Sequence, residues 1–259
     1  MKFFGDTIAV LCLRKNFTED LKQHFSIFEN KIDFELVDGI KNSTNEGDVD
    51  VTLWKILQHS TMDNVSIDIL QNHLKLIQTH LEQGTQNILI MEEDARFPDM
   101  SEERIKIWKS INQWLENNPD TWDIFYFGYC NWPLPISFFH QSNIVRLFTP
   151  LCAHAYCLNR NGMQKILNFV QRSDFYANVH FDKLLTKVPG LRKYGAFPAL
   201  SFQATCPALY VKACDMMNKN VSFESFSKFN ERVSVILPFI FILLLIVLIY
   251  IQLSRWNKT

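Results

Sequence analysis

The chain has no surplus of either charge: 26 Lys and Arg stand against 27 Asp and Glu, a formal net charge of −1 over 259 residues. A protein that grips a polyanion needs a basic face that displaces counterions. The basic residues here are spread thinly, which argues against nucleic acid as a partner. Also missing are C-x-x-C spacing and any structural-zinc pattern. Cys12, Cys130, Cys152, Cys157, Cys206 and Cys214 therefore read as buried or free thiols of a reducing compartment. Cys152 and Cys157 are close in sequence, but spacing alone does not make a disulfide. There is no internal repeat. No amino-terminal targeting segment is visible either: Asp6 comes before any long apolar region, and residues 7–13 are too short and too β-like for a signal peptide.

What the chain does have is apolar material, 47% of its residues, enough for one large domain and an appendage. The most informative stretch is Asn87-Ile88-Leu89-Ile90-Met91-Glu92-Glu93-Asp94-Ala95-Arg96-Phe97, an aliphatic run that ends abruptly in three carboxylates. Such a run, bounded by Gly84 and Pro98, predicts a strand buried on both faces of a parallel or mixed sheet. Open α/β sheets place ligands at the carboxyl ends of their strands, where Glu92 to Asp94 fall. Three adjacent acids repel one another and need a cation or basic partners to stay ionised when partly buried. Oxygen ligands of this kind suit Mg²⁺ or Mn²⁺. From the residues alone, a metal site and a solvated acidic turn are both open.

Residues 233–253 read VSVILPFIFILLLIVLIYIQL, with no charge. Roughly 20 helical residues at about 1.5 Å rise cover the roughly 30 Å hydrocarbon layer, so the pattern predicts a transmembrane helix. Pro238 lies in its first turns, where a missing donor matters least, and Tyr250 and Trp256 suit one interface. The flanking Lys and Arg barely differ between the two sides. With the apolar segment last, the expectation is a single-pass protein anchored at its carboxyl end, its domain in the cytosol. Five Asn-x-Ser/Thr triplets, at Asn16, Asn42, Asn64, Asn220 and Asn257, point weakly the other way, to a lumen, but an Asn-rich chain produces such triplets easily.

Along the chain, residues 8–13 read as a first strand and residues 34–37 as a second, with a helix begun by Thr18 between them. Ile67, Leu70, Leu74, Ile77 and Leu81 step by three and four, an amphipathic helix ending near Gly84. A further helix is predicted from Ser101 to just before Pro119, then strands at 122–128 and 153–158 and a helix carrying Met163, Ile166, Leu167 and Val170. Residues 41–50 and 130–140 read as loops, and 216–232 as a juxtamembrane connector. The order of strands and helices predicts an α/β fold, the opening of a nucleotide-binding architecture.

In this order the segments resemble glycosyltransferase family 25, which includes bacterial lipooligosaccharide galactosyltransferases and collagen hydroxylysine galactosyltransferases. The resemblance spans about residues 6–210. Leu13-Arg14 and Val37-Asp38-Gly39 resemble the family's first nucleotide-binding unit. His73 stands where the family has the His of a Ser-His pair. Leu89 to Asp94 is similar to the family's apolar strand ending in Glu-Asp-Asp, with Glu93 replacing the middle Asp. Trp122 to Gly128, His154 to Gly162, Asp182 within His180-Phe181-Asp182-Lys183-Leu184-Leu185, and Pro198 to Gln203 resemble later segments. The resemblance implies a GT-A-like nucleotide-sugar-binding sheet flanked by helices over residues 1–215. A connector (216–232), the transmembrane helix (233–253) and a short polar tail (254–259) follow. It also implies a UDP-sugar donor such as UDP-galactose, dependence on Mn²⁺ (or Mg²⁺), inversion at the anomeric carbon, and a protein or glycan acceptor.

On this reading Glu92 and Asp94 are the metal ligands, and Arg14, Asp38, Glu93 and His154 contact the nucleotide donor. Asp182 is the first candidate for the base. Each has a plainer alternative: a helix cap or donor-sugar contact for Asp182, packing for His154, a solvated side chain for Arg14. His73 reads as a hydrogen-bonded core histidine rather than a catalytic one. Trp132 could stack on a sugar or simply rim a lid. Two other function classes compete: a degenerate transferase fold serving as a membrane-tethered scaffold, and a Mg²⁺-dependent phosphatase or nucleotidyltransferase.

Overall fold

The computed structural model describes residues 1–12, 19–36, 62, 64–97, 101–131, 137–172, 179–203, 233, 236–237 and 239–250. The expectations for Arg14, Asp38, Trp132, the loop at 41–50, the connector at 216–232 and the tail at 254–259 lie outside these residues. The chain forms an α/β fold built on one mixed eight-stranded sheet with helices on both faces. Strands β1 (Thr7–Cys12), β2 (Ile32–Leu36) and β3 (Asn87–Glu92) are mutually parallel, with β1 in the middle. Next to β3 runs β8 (Pro150–Asn159), antiparallel to it, and beyond that β5 (Ile124–Asn131) and β9 (Lys193–Ala196). The edge is a hairpin of β6 (Ser137–Gln141) and β7 (Ile144–Leu147), giving the order β2-β1-β3-β8-β5-β9-β7-β6. Part of the stretch read as a loop at 130–140 is thus strand.

Period-two alternation sends successive side chains to opposite faces, and β3 shows the consequence. Ile88 and Ile90 join the core beneath helix α2 (Asn64–Glu82), α4 (Arg160–Arg172) and α5 (Phe181–Lys187). Leu89 and Met91 join the other core, beneath α1 (Glu19–Phe25) and α3 (Glu102–Asn117). The same parity puts Tyr156 and Leu158 of β8 on the α2 face and Ala155 and Cys157 on the opposite one. Glu92 continues the α2-side parity of Ile88 and Ile90.

Helix α2 delivers the chain to β3 through a defined stop. Gly84 sits at φ +83°, a conformation that costs glycine little, and donates to the Leu81 carbonyl while Thr85 donates to that of His80, at 3.2 and 3.0 Å. This is a Schellman closure, which satisfies carbonyls that the helix end leaves open. Helix α3 starts as its sequence predicts: Ser101 Oγ accepts from the Arg104 amide at 3.4 Å, ahead of Glu102 and Glu103 in the first turn.

After β3 the chain turns through Glu93 and Asp94 into the two-residue strand β4 (Ala95–Arg96). It pairs antiparallel with the equally short β10 (Phe202–Gln203), Gln203 opposite Ala95. That pairing returns the end of the domain to the end of β3. Residues 239–250 are helical with every side chain exposed, but among the described residues no helix is long and apolar enough to cross a membrane.

Candidate functional site

A cleft of about 540 Å³ opens at the carboxyl end of β3. Its walls come from α2 (Ser66, Ile69), β8 (Cys152, Ala153), α5 with the residue before it (His180, Phe181, Asp182, Lys183) and β10 (Gln203), and Glu92 reaches it from β3. The structure therefore brings together two of the acids singled out in the sequence, Glu92 and Asp182, although they are 90 positions apart.

Glu92 is 16% exposed and held through both oxygens. His73 Nε2 lies 3.2 Å from Oε1, and Gln203 Nε2 donates to Oε2 at 3.4 Å. Burial pushes the Glu92 carboxyl up, but the His73 hydrogen bond first, then the nearby His73 and His154 rings and the Gln203 amide, outweigh it and hold the acid below its ordinary value. Glu92 is therefore ionised near neutral pH. On the far side of His73, the Tyr156 hydroxyl lies 2.7 Å from Nδ1. The reading of His73 as a hydrogen-bonded core residue holds: it is 1% exposed. What the sequence did not reveal is that one of its partners is Glu92.

His154 is 2% exposed on β8, one step past the last registered pair between β3 and β8, Met91 with Ala155. Burial lowers its pKa, and the Glu92 charge and the Ser201 carbonyl pull the other way without preventing it. Among the described residues neither ring nitrogen makes a well-formed hydrogen bond, and the same is true of Ser201 Oγ, Gln203 Oε1 and Tyr126 Oη. Native interiors leave few polar atoms without partners, so these atoms are the ones to which further groups, from the rest of the chain or a ligand, would be directed. Gly128 makes the crowding possible, because a Cβ there would collide with the Ser201 carbonyl and His154 Nε2.

Asp182 lies in the first turn of α5, so its helical reading is correct, and it also lines the cleft. Its Oδ1 accepts from the Lys183 amide at 2.7 Å and its Oδ2 from the Cys152 amide at 3.2 Å. Cys152 has φ +68°, the left-handed region that costs a non-glycine residue about 1–3 kcal/mol. The Asp182 hydrogen bond helps hold it there. Tyr126 is near enough that burial first, then the charges of Asp182 and Cys152, push its hydroxyl well above the ordinary range. Neither Cys152 nor Tyr126 stands out in the sequence: a left-handed φ and a buried phenol next to a distant acid are tertiary facts.

The acids at 92–94 do not act as one cluster. Glu93 donates its amide to the Leu11 carbonyl at 2.9 Å, and its charge adds to the burial that pushes the Cys12 thiol up to about 12. Cys12, Cys152 and Cys157 are free thiols, all buried. Asp94 sits half-buried in the turn before β4. Among the described residues no group of three or more His, Cys, Asp or Glu is arranged to hold a metal ion. Mg²⁺ and Mn²⁺ chemistry does not demand such a cage: Mg²⁺ keeps several waters and is commonly held by one or two carboxylates plus the substrate's phosphates. Glu92 lines the cleft, whereas Asp94 is not among its lining residues; both are hard oxygen donors of the type such an ion takes.

The chain is similar in fold to two solved structures. One is A197 from STIV; the other is a glycosyltransferase involved in the glycosylation of the major capsid of PBCV-1. Each is 11% identical with a TM-score of 0.36, covering 73% of this chain and 81% of that chain. No protein-family model and no curated protein sequence matches the chain.

Proposed function

We propose that the chain is a metal-dependent glycosyltransferase of the family 25 type, moving a hexose, galactose, from a UDP-sugar to a hydroxyl of a protein or glycan acceptor with inversion. The observation that carries this reading is the cleft at the carboxyl end of β3, which Glu92, ionised near neutral pH, reaches from β3 and Asp182 from α5. Glu92 and Asp94 are the side chains that would hold Mn²⁺ or Mg²⁺. Bound there, the ion would neutralise charge on the diphosphate leaving group as a Lewis acid. Asp182, whose oxygens accept from the Cys152 and Lys183 amides, would be the base that takes the acceptor hydroxyl's proton. His154 and Glu93 flank the acids, and Arg14 and Asp38 complete the nucleotide contacts in the resemblance. Residues 233–253 anchor the domain to a membrane as a single pass, with the domain in the cytosol.

The test is a donor screen with the full chain in detergent, with and without Mn²⁺. Metal-dependent transfer from UDP-galactose that vanishes in Glu92→Ala supports the proposal. Unchanged turnover in that variant removes it. Protease protection in microsomes reports the side of the membrane: digestion of residues 1–232 without detergent is expected.

A second reading, a binding or scaffold protein with a degenerate transferase fold, is favoured by one feature. Both oxygens of Glu92 and both of Asp182 already accept hydrogen bonds from the protein. It predicts donor binding without transfer in the same screen.

A further inference from the structure

His73 touches both walls of the cleft. Its ring lies flat on Phe181, centroids 4.1 Å apart and planes within 3°, and Phe181 immediately precedes Asp182 at the start of α5. Its nitrogens point to opposite partners, Tyr156 at 2.7 Å and Glu92 at 3.2 Å. One neutral tautomer satisfies all three groups: the Tyr156 hydroxyl donates to Nδ1, and Nε2–H donates to Glu92 Oε1. A side chain retained only to fill space here would be apolar, because burying a polar ring stabilises nothing unless its nitrogens are paired. A carboxylate has about four lone-pair sites, and among the described residues His73 and Gln203 take one on each oxygen.

We infer that His73 is a positioning residue that sets the spacing of the two cleft acids, orienting Glu92 through Nε2–H and seating the start of α5, and so Asp182, through its ring. The kinetic consequence rests on the transferase reading, whereas the structural consequence does not. Tyr156 acts one step further back, fixing the tautomer.

The experiment compares the full-length wild type with His73→Phe, His73→Gln and Tyr156→Phe. His73→Phe keeps a flat ring against Phe181 and loses both hydrogen bonds; His73→Gln restores a donor but loses the stack. Thermal melting reports folding, Mn²⁺ titration by electron paramagnetic resonance reports the acids, and steady-state kinetics separate kcat from KM. In His73→Phe we expect a cooperative melt with Mn²⁺ affinity and kcat each lowered about ten- to a hundredfold and acceptor KM little changed. His73→Gln is expected to recover part of that loss, and Tyr156→Phe to show a smaller loss in the same direction. Wild-type affinity and kcat in His73→Phe would overturn the inference, as would equal losses in Phe and Gln variants that merely track the folded fraction. If the wild type itself neither binds Mn²⁺ nor transfers a hexose, the transferase reading falls and crystal structures decide. Displaced Glu92 and Asp182 carboxylates in His73→Phe uphold the inference, and carboxylates in their original places reject it.

Discussion

Asp123 and Glu92 are both acids at the ends of buried strands, and they are treated in opposite ways. Asp123 lies at the amino end of β5, fully buried, and five donors saturate it: Lys165 Nζ at 2.7 Å, Arg192 N, Nε and Nη2 at 2.8, 3.0 and 2.7 Å, and Asn161 Nδ2 at 2.8 Å. Glu92 lies at the carboxyl end of β3, which runs parallel to β5 because both are antiparallel to β8. The two acids therefore sit at opposite ends of the strands. Among the described residues Glu92 has one donor at 3.2 Å and one at 3.4 Å, and it opens onto a cleft. A saturated carboxylate with two cations holds strands and helices together. A carboxylate with fewer donors among the described residues, facing a cleft at the carboxyl end of a strand, is a candidate for a functional role.

Three changes sharpen or break this contrast, the largest first. Asp123→Asn leaves Lys165 and Arg192 without their counter-charge; because they remain 30% and 34% exposed, we expect the low end of the usual cost, about 3 kcal/mol. In a chain of this size that lowers the melting temperature by roughly 6–12 °C, as calorimetry will show. Glu92→Gln should do the reverse, cutting transfer roughly a hundred- to a thousandfold in steady-state assays while the melting temperature barely moves. A melting loss in Glu92→Gln as large as in Asp123→Asn would erase the distinction. Gly162→Ala and Gly128→Ala form the third, matched pair: an added Cβ collides with the Asp123 carbonyl in one and with His154 and the Ser201 carbonyl in the other. Each should cost about 1–3 kcal/mol in denaturant melts. Only Gly128→Ala should also weaken donor binding.

Acid titration gives the smallest effect. Burial pushes the Asp123 carboxyl up, but the Arg192 and Lys165 hydrogen bonds more than reverse this and hold it below its ordinary value of 3.8. A depressed folded-state pKa contributes stability that is complete above the unfolded value and disappears as the pH falls through the folded one. Denaturant melts should therefore lose stability below about pH 4, and Asp123→Asn should flatten that part of the curve. An unchanged slope in the variant would show that another group carries it.

Much of the frame was legible in the sequence because periodicity is strong where elements are long. The apolar run at 87–92, the three- and four-residue steps from Ile67 to Leu81 and the Ser101 start of a helix all correspond to observed elements. The short pieces were not legible. Residues 130–140 read as a loop, and β9, β4 and β10 have four, two and two residues, too few to show a period. The site divides in the same way. Glu92 and Asp182 were visible as acids beside apolar segments, and the family resemblance drew attention to the segment ending in Gln203. The meeting of Gln203 with Glu92 depends on the two-residue ladder between β10 and β4, which only the folded chain reveals. Asp123 read simply as part of a strand, since its partners come from positions 161, 165 and 192.

The most direct test of the central claim is calorimetric titration of UDP-galactose, with and without Mn²⁺, into the full chain in detergent, wild type beside Glu92→Gln. The account predicts saturable, Mn²⁺-dependent binding by the wild type that weakens about tenfold or more in the variant. Equal binding by both proteins, or binding indifferent to the metal, would contradict it.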